Sequence, residues 1–215
     1  MAQELPLLVM VSASIGFLHV LVGPDHYLPF IAMAKARQWS LARTAWITAL
    51  CAVGHIGSSV VLSLLGIALG MAAAKVEALE SLRGSLAAWG LISFGLLYFA
   101  WGMRKAYRRQ PHRGEEKEEP MASLVPWILF TIFVFGPCEP LIPLLLYPGV
   151  KESVFRMALV TGIFGGTTVL TMVGIVILST LGLAFLPVAR LERYRDALAG
   201  AVVCMCGLAV QFLGL

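Results

Sequence analysis

Charge is what this sequence has least of. Asp, Glu, Lys and Arg make up 13% of its 215 residues, against roughly 25% in a soluble domain. That shortage excludes an ordinary water-facing surface. Cysteine is scarce as well. Cys51, Cys138, Cys204 and Cys206 all fall inside apolar runs and form neither a disulfide framework nor a zinc-ribbon spacing. Cys204 and Cys206 stand two apart, on different faces of a helix, so they and Cys51 read as small packing residues. No nucleotide-binding motif occurs, so ATP-driven work would need another subunit. A basic leader is also missing: only Glu4 precedes the first apolar run, which argues against a cleaved signal peptide.

What fills the chain instead is apolar. Hydrophobic residues are 59% of the total and mean hydropathy is +0.86. The runs are long enough to cross a bilayer, which takes about 20 residues each. Six spans are expected, at 6–34 (broken at Pro24 and Pro29), 42–72, 85–103, 122–147 (broken at Pro137), 153–186 and 197–215. Those longer than the minimum must tilt, kink or turn outside the lipid. The fold class expected is an all-α membrane protein.

A net charge of +4 could point to nucleic acid, but its distribution points to topology and to no nucleic-acid partner. Lys35, Arg37 and Arg43 lie between spans one and two. Arg104, Lys105, Arg108, Arg109, Arg113 and Lys117 lie between three and four, and Arg190, Arg193 and Arg195 between five and six. Twelve of sixteen basic residues thus share one side, leaving Lys75, Arg83, Lys151 and Arg156 opposite. The positive-inside rule makes the crowded side cytoplasmic, with both termini outside.

One short string occurs twice. Gly23-Pro24-Asp25-His26-Tyr27-Leu28-Pro29 returns as Gly136-Pro137-Cys138-Glu139-Pro140-Leu141-Ile142-Pro143, an offset of 113. Gly57-Ser58-Ser59-Val60 matches Gly166-Thr167-Thr168-Val169 at 109, and Arg83-Gly-Ser-Leu86 matches Arg195-Asp-Ala-Leu198 at 112, as Gly95 does Gly207. The polar stretch 104–120 divides the halves: a basic block, then an acidic one, as in a solvated linker, with His112 a solvated loop histidine. The organisation expected is a three-helix repeat at 1–105, a cytoplasmic linker at 106–120 and a second repeat at 121–215, integrated into one membrane domain. Three spans per unit is odd, so the second copy enters with opposite orientation, an inverted 3+3 repeat with its site between the halves.

Helices one and four are expected to break at Gly23-Pro24 and Gly136-Pro137. Pro24 removes a backbone donor and clashes with the carbonyl of Val20, and Pro137 does the same to Phe133. Irregular backbone at membrane depth survives only inside protein or beside a watery cavity. His19, Asp25 and His26 flank the first break, Cys138 and Glu139 the second, and His55 adds an imidazole in span two. Singly, Asp25 is also a favoured helix cap, and Cys138 or a lone histidine can be a core residue. As a set they are ionisable groups where lipid penalises charge, which marks a functional site. Imidazole, carboxylate and thiolate suit a borderline first-row divalent ion, and Ni²⁺, Cu²⁺ and Zn²⁺ all bind them well. Ser58, Ser59, Thr167 and Thr168 are candidate path-lining hydroxyls, and such small residues also let helices pack closely.

His19-Val-Leu-Val-Gly23-Pro24-Asp25-His26, with Gly54-His55 in the next span and Gly136-Pro137-Cys138-Glu139-Pro140 in the second half, resembles the urease-accessory UreH-like transmembrane family, which is akin to the nickel/cobalt permeases. The resemblance covers nearly the whole chain. It implies a permease, not an enzyme, of the bacterial cytoplasmic membrane. Its cargo would be Ni²⁺ or Co²⁺, with uptake favoured over export and no permanently bound cofactor. A metallochaperone or a second copy of the chain would be the protein partner. The permeases place four residues between the first histidine and Asp-His, whereas five separate His19 from Asp25 here, so Asp25 and His26 carry over more directly than His19. Two alternatives come from related families. Thiol transfer of the cytochrome-c-biogenesis type needs a sulfur at both breaks, and here Asp25 stands opposite Cys138. Export of a small sulfur-containing anion would use half-helix N-termini, but acids and histidines suit a cation better.

Overall fold

The computed structural model describes residues 4–108, 120–151, 153–184 and 189–214. Most of the 106–120 linker, with Arg109, His112, Arg113 and Lys117, lies outside the described residues, and with it the expectation that it is solvated. Within the described residues every regular element is helical. Helix α1 covers Glu4–Val22, a 3₁₀ turn Pro24–His26, α2 Leu28–Arg37, α3 Leu41–Ala68 and α4 Ala73–Arg108. Then come α5 Pro120–Phe135, α6 Leu141–Leu146, α7 Pro148–Lys151, α8 Val154–Ala184, a 3₁₀ turn Ala189–Tyr194 and α9 Arg195–Leu213.

Five of these helices are long and apolar enough to cross a membrane, namely α1, α3, α4, α8 and the helix ending in α9. Their exposed faces carry large apolar residues, among them Met10, Phe17 and Leu21 on α1 and Leu170 and Leu178 on α8. Patches of that size on a soluble protein would be aggregation sites; facing acyl chains they cost nothing. The fourth span, 122–147, expected with a break at Pro137, falls into separate helical pieces. Its first piece, α5, has 16 residues, and the chain turns over Gly136–Pro140 before the short α6 and α7. Helix α4 runs well past the expected 85–103 on both sides, to 36 residues. Its amphipathic first turns were masked by Lys75, Glu77, Glu80 and Arg83, whose charges look like a loop in a hydropathy window.

The helices pack through small residues. α4 lies along α9, α1 along α8, and α3 is sandwiched by α5 and α8. A larger core collects Phe30, Met33, Tyr98, Leu129 and Met172, and a smaller one Cys138, Leu141, Leu145 and Phe164. Basic side chains gather where α2, α4 and α8 end and α9 begins. Lys35 Nζ donates to Leu183 O at 3.4 Å, Arg193 Nε to Ala106 O at 2.9 Å, and Lys105 pairs with Asp196 at 3.1 Å. The Arg37 guanidinium lies 5.5 Å from the Trp101 ring centre, a cation–π contact.

Candidate metal centre

The centre is built where the chain leaves helical geometry. At the first interruption the Gly23 N–H still closes α1 on His19 O at 3.1 Å, but Pro24 has no N–H to offer Val20. The chain tightens into a 3₁₀ turn in which His26 N–H bonds Gly23 O at 3.1 Å. That turn swings the His26 ring back under α1, where it is 5% exposed. A Cβ on Gly23 would lie 2.5 Å from His26 Nδ1, so only glycine admits the ring there.

Three imidazoles meet as a result. One ring nitrogen from each of His19, His26 and His55 lies within 4.8 Å of the others. Ring centres are 4.4 Å apart for His19 and His26, 5.2 Å for His26 and His55, and 6.0 Å for His19 and His55. A tetrahedral ion with bonds of about 2.0–2.1 Å needs such nitrogens about 3.4 Å apart, so a contraction of roughly an ångström would close the set.

Two of the tautomers are fixed by their partners. His26 Nδ1 lies 3.2 Å from Gly23 O and 3.1 Å from Asp25 Oδ1, and His55 Nδ1 lies 3.3 Å from Phe133 O. A carbonyl only accepts, so in the neutral rings Nδ1 carries the hydrogen and Nε2 keeps its lone pair. His26 Nε2 and His55 Nε2 are both buried, with no hydrogen-bond partner. Buried polar atoms are normally paired. Two bare lone pairs in one pocket, each ring oriented through its other nitrogen by a carbonyl or carboxylate, is the arrangement of metal-binding histidines.

The second interruption supplies sulfur. Cys138, wholly buried, places Sγ 3.8 Å from His19 Nε2, at the edge of the three-histidine group rather than within it. Pro137 has no N–H for Phe133 O, and that freed carbonyl takes Gly136 N–H at 3.0 Å and the His55 ring. The missing helical bond thus sets the orientation of an imidazole on another helix. Asp25 stands behind His26 rather than beside the bare nitrogens. Glu139 is exposed and makes no side-chain hydrogen bond or ion pair among the described residues; it is not part of the histidine cluster.

Of the candidate path hydroxyls, Ser58 donates to His55 O at 2.8 Å and borders a recess of about 600 Å³ between α3, α4 and α5. Ser59 is buried and donates to Glu80 Oε1. Thr168 is buried with its hydroxyl unpaired, and Thr167 is half-buried.

Glu80 and Arg83 did not stand out as site residues in the sequence. Glu80 is 1% exposed and forms an ion pair with Arg83 at 2.5 Å. Its Oε1 accepts the Cys138 N–H at 2.9 Å, and Arg83 Nη2 donates to Val134 O at 2.8 Å and Ser58 Oγ at 2.7 Å. The available signal was an acid and a base three apart, neighbours on a helix face, within a stretch that reads as a solvated helix end. The chain matches no protein-family model, no curated protein and no solved structure.

Proposed function

We propose that this chain is a membrane permease for a divalent first-row transition ion, Ni²⁺ or Co²⁺ by its resemblance, with uptake the favoured direction. The observation that carries the reading is the pair of buried, unpartnered Nε2 atoms of His26 and His55 beside His19 and the Cys138 thiol. Three imidazoles and one sulfur form a neutral-to-soft donor set that suits such an ion better than Mg²⁺, Ca²⁺ or Na⁺. His19, His26, His55 and Cys138 would hold the ion and Asp25 would orient His26.

The halves would be an inverted repeat, related by an axis in the membrane plane. Packing between α4 and α9 supports this. A Cβ on Gly95 would lie 2.3 Å from Cys204 N and 2.8 Å from Gly200 O, and one on Gly207 would lie 2.8 Å from both Ala88 O and Ile92 N. The 112-residue offset that carries Gly95 to Gly207 also carries Ala88 and Ile92 to Gly200 and Cys204. Each contact is therefore the image of the other. The same exchange relates α1 on α8 to α5 on α3. Midplane sites between such repeats open alternately to each side as one repeat rocks on the other. With the basic end cytoplasmic, both termini would lie outside.

Metal content of cells expressing the chain, measured by ICP-MS, tests the reading. Wild type should accumulate Ni²⁺ or Co²⁺, and His26→Ala and Cys138→Ser should not. Equal content in all three would remove it. The thiol-transfer alternative has less support, since the sulfur of Cys138 faces an imidazole and dithiol exchange needs a second sulfur.

A further inference from the structure

In an unbroken helix Cys138 N–H would donate to Val134 O, four residues back. Here the two groups are parted, and one ion pair of α4 takes both. The donor goes to Glu80 Oε1 at 2.9 Å and the acceptor to Arg83 Nη2 at 2.8 Å, while Glu80 and Arg83 bond each other. Signs match: a carboxylate accepts the orphan N–H and a guanidinium donates to the orphan carbonyl. Both bonds are charge-assisted, roughly twice as strong as neutral ones. Pro137 has no N–H for Phe133 O and its ring crowds that carbonyl, kinking or breaking the helix, but it leaves Cys138 its N–H and Val134 its carbonyl, and those two groups still need partners. Helix α4 is also shaped to receive the gap. Gly84, next to Arg83, faces Pro137, and a Cβ there would lie 2.7 Å from its Cγ.

We infer that the Glu80–Arg83 pair, with Gly84 as the seat for Pro137, is spliced into the missing Val134–Cys138 bond as a positioning device: it holds the second interruption open and keeps the Cys138 thiol against His19. The splice stands on the hydrogen bonds alone; its consequence, that the pair decides whether sulfur belongs to the metal's donor set, rests on the metal reading above. Glu80 and Arg83 act through Cys138 and touch no cargo. Without them the backbone groups of Val134 and Cys138 can rejoin, turning the thiol away from the histidines. A site reduced to imidazoles loses its soft donor and with it the preference that sulfur confers.

The test uses the full chain with Cys51, Cys204 and Cys206 changed to Ala, so that Cys138 is the one native thiol left. Truncating a single partner would strip the other of its hydrogen bonds, whereas replacing both by apolar groups of similar volume is often tolerated. The informative variant is therefore Glu80→Leu/Arg83→Met, with Glu80→Gln, which keeps an acceptor oxygen for Cys138 N–H, as the conservative control.

The first readout needs no metal. His19→Cys is added, and dibromobimane, which fluoresces on bridging two nearby thiols, reports the distance to Cys138. Bridging should be strong with the native pair, retained in Glu80→Gln and at least fivefold lower in the double variant. Undiminished bridging in the double variant, or none with the native pair, overturns the splice. The second readout is Co²⁺ absorption with His19 intact. The thiolate-to-cobalt charge-transfer band should be present with the native pair and in Glu80→Gln. In the double variant it should vanish while the weaker ligand-field bands persist. A band that survives there overturns the assigned consequence. Absence of any cobalt spectrum with the native pair would defeat the metal reading and the consequence built on it, leaving the bridging result to decide the splice. If the double variant does not fold, Gly84→Leu, which crowds Pro137 off its seat, should lower bridging to the same extent, and undiminished bridging in it overturns the splice.

Discussion

His26 and His55 owe their orientation to atoms outside the three-histidine cluster. Each ring is held through Nδ1 by a carbonyl released at a chain interruption, and Asp25 adds a carboxylate behind His26. Such outer partners typically change metal affinity by about 10–100-fold. Asp25→Asn should therefore weaken Ni²⁺ binding within that range, measured by titration calorimetry on purified protein, while Glu139→Gln should leave it unchanged. Equal losses in the two would place Glu139 in the site after all. Binding should also fall as pH is lowered, because the imidazoles must be neutral and the thiol deprotonated to ligate, so protons compete with the ion. A calorimetric affinity flat between neutral and mildly acidic buffer would contradict that donor set. His19, Asp25, His26, His55 and Cys138 were visible in the sequence because ionisable groups stand out in apolar runs. Glu80 and Arg83 were not: a charged pair near a helix end looks solvated until the fold buries it.

Among the elements, α4 and α9 form the tightest pair, touching backbone to backbone at Gly95 and Gly200. Gly95→Ala would put a methyl 2.3 Å from Cys204 N, and backbone cannot step aside as a side chain can. Overpacking of that kind costs about 1–3 kcal/mol, so the variant should melt earlier than wild type in detergent. Gly57 is the contrast, since a Cβ there meets nothing within 4 Å. Gly57→Ala should melt no earlier and gain up to about 1 kcal/mol of helix propensity. The reverse order of melting would refute this account of the interface. Helix type and the positions of α1, α3, α8 and α9 could be read from apolar run lengths. In the fourth run a break at Gly136-Pro137 is expected from the sequence, but the further division into α6 and α7 at Pro148 is not, because hydropathy averages across prolines and records composition rather than hydrogen bonding.

For the whole molecule, the proposed orientation rests on the basic residues Lys35, Arg37, Lys105 and Arg193, which make contacts where α2, α4 and α8 end and α9 begins. Fusions should report it: alkaline phosphatase active after Leu215 and inactive after Arg108, with green fluorescent protein giving the opposite pattern. Matching signals at the two points would rule out the proposed topology. In the proposed inverted repeat the site would lie between the two halves, where rocking of one on the other would open it to either side. The most direct test is uptake of radioactive nickel or cobalt by proteoliposomes containing only this chain, comparing wild type with His26→Ala and His55→Ala. The account predicts flux into wild-type vesicles well above empty ones and none in either variant. Wild-type flux no greater than that of empty vesicles, or flux that survives the loss of either imidazole, would contradict it.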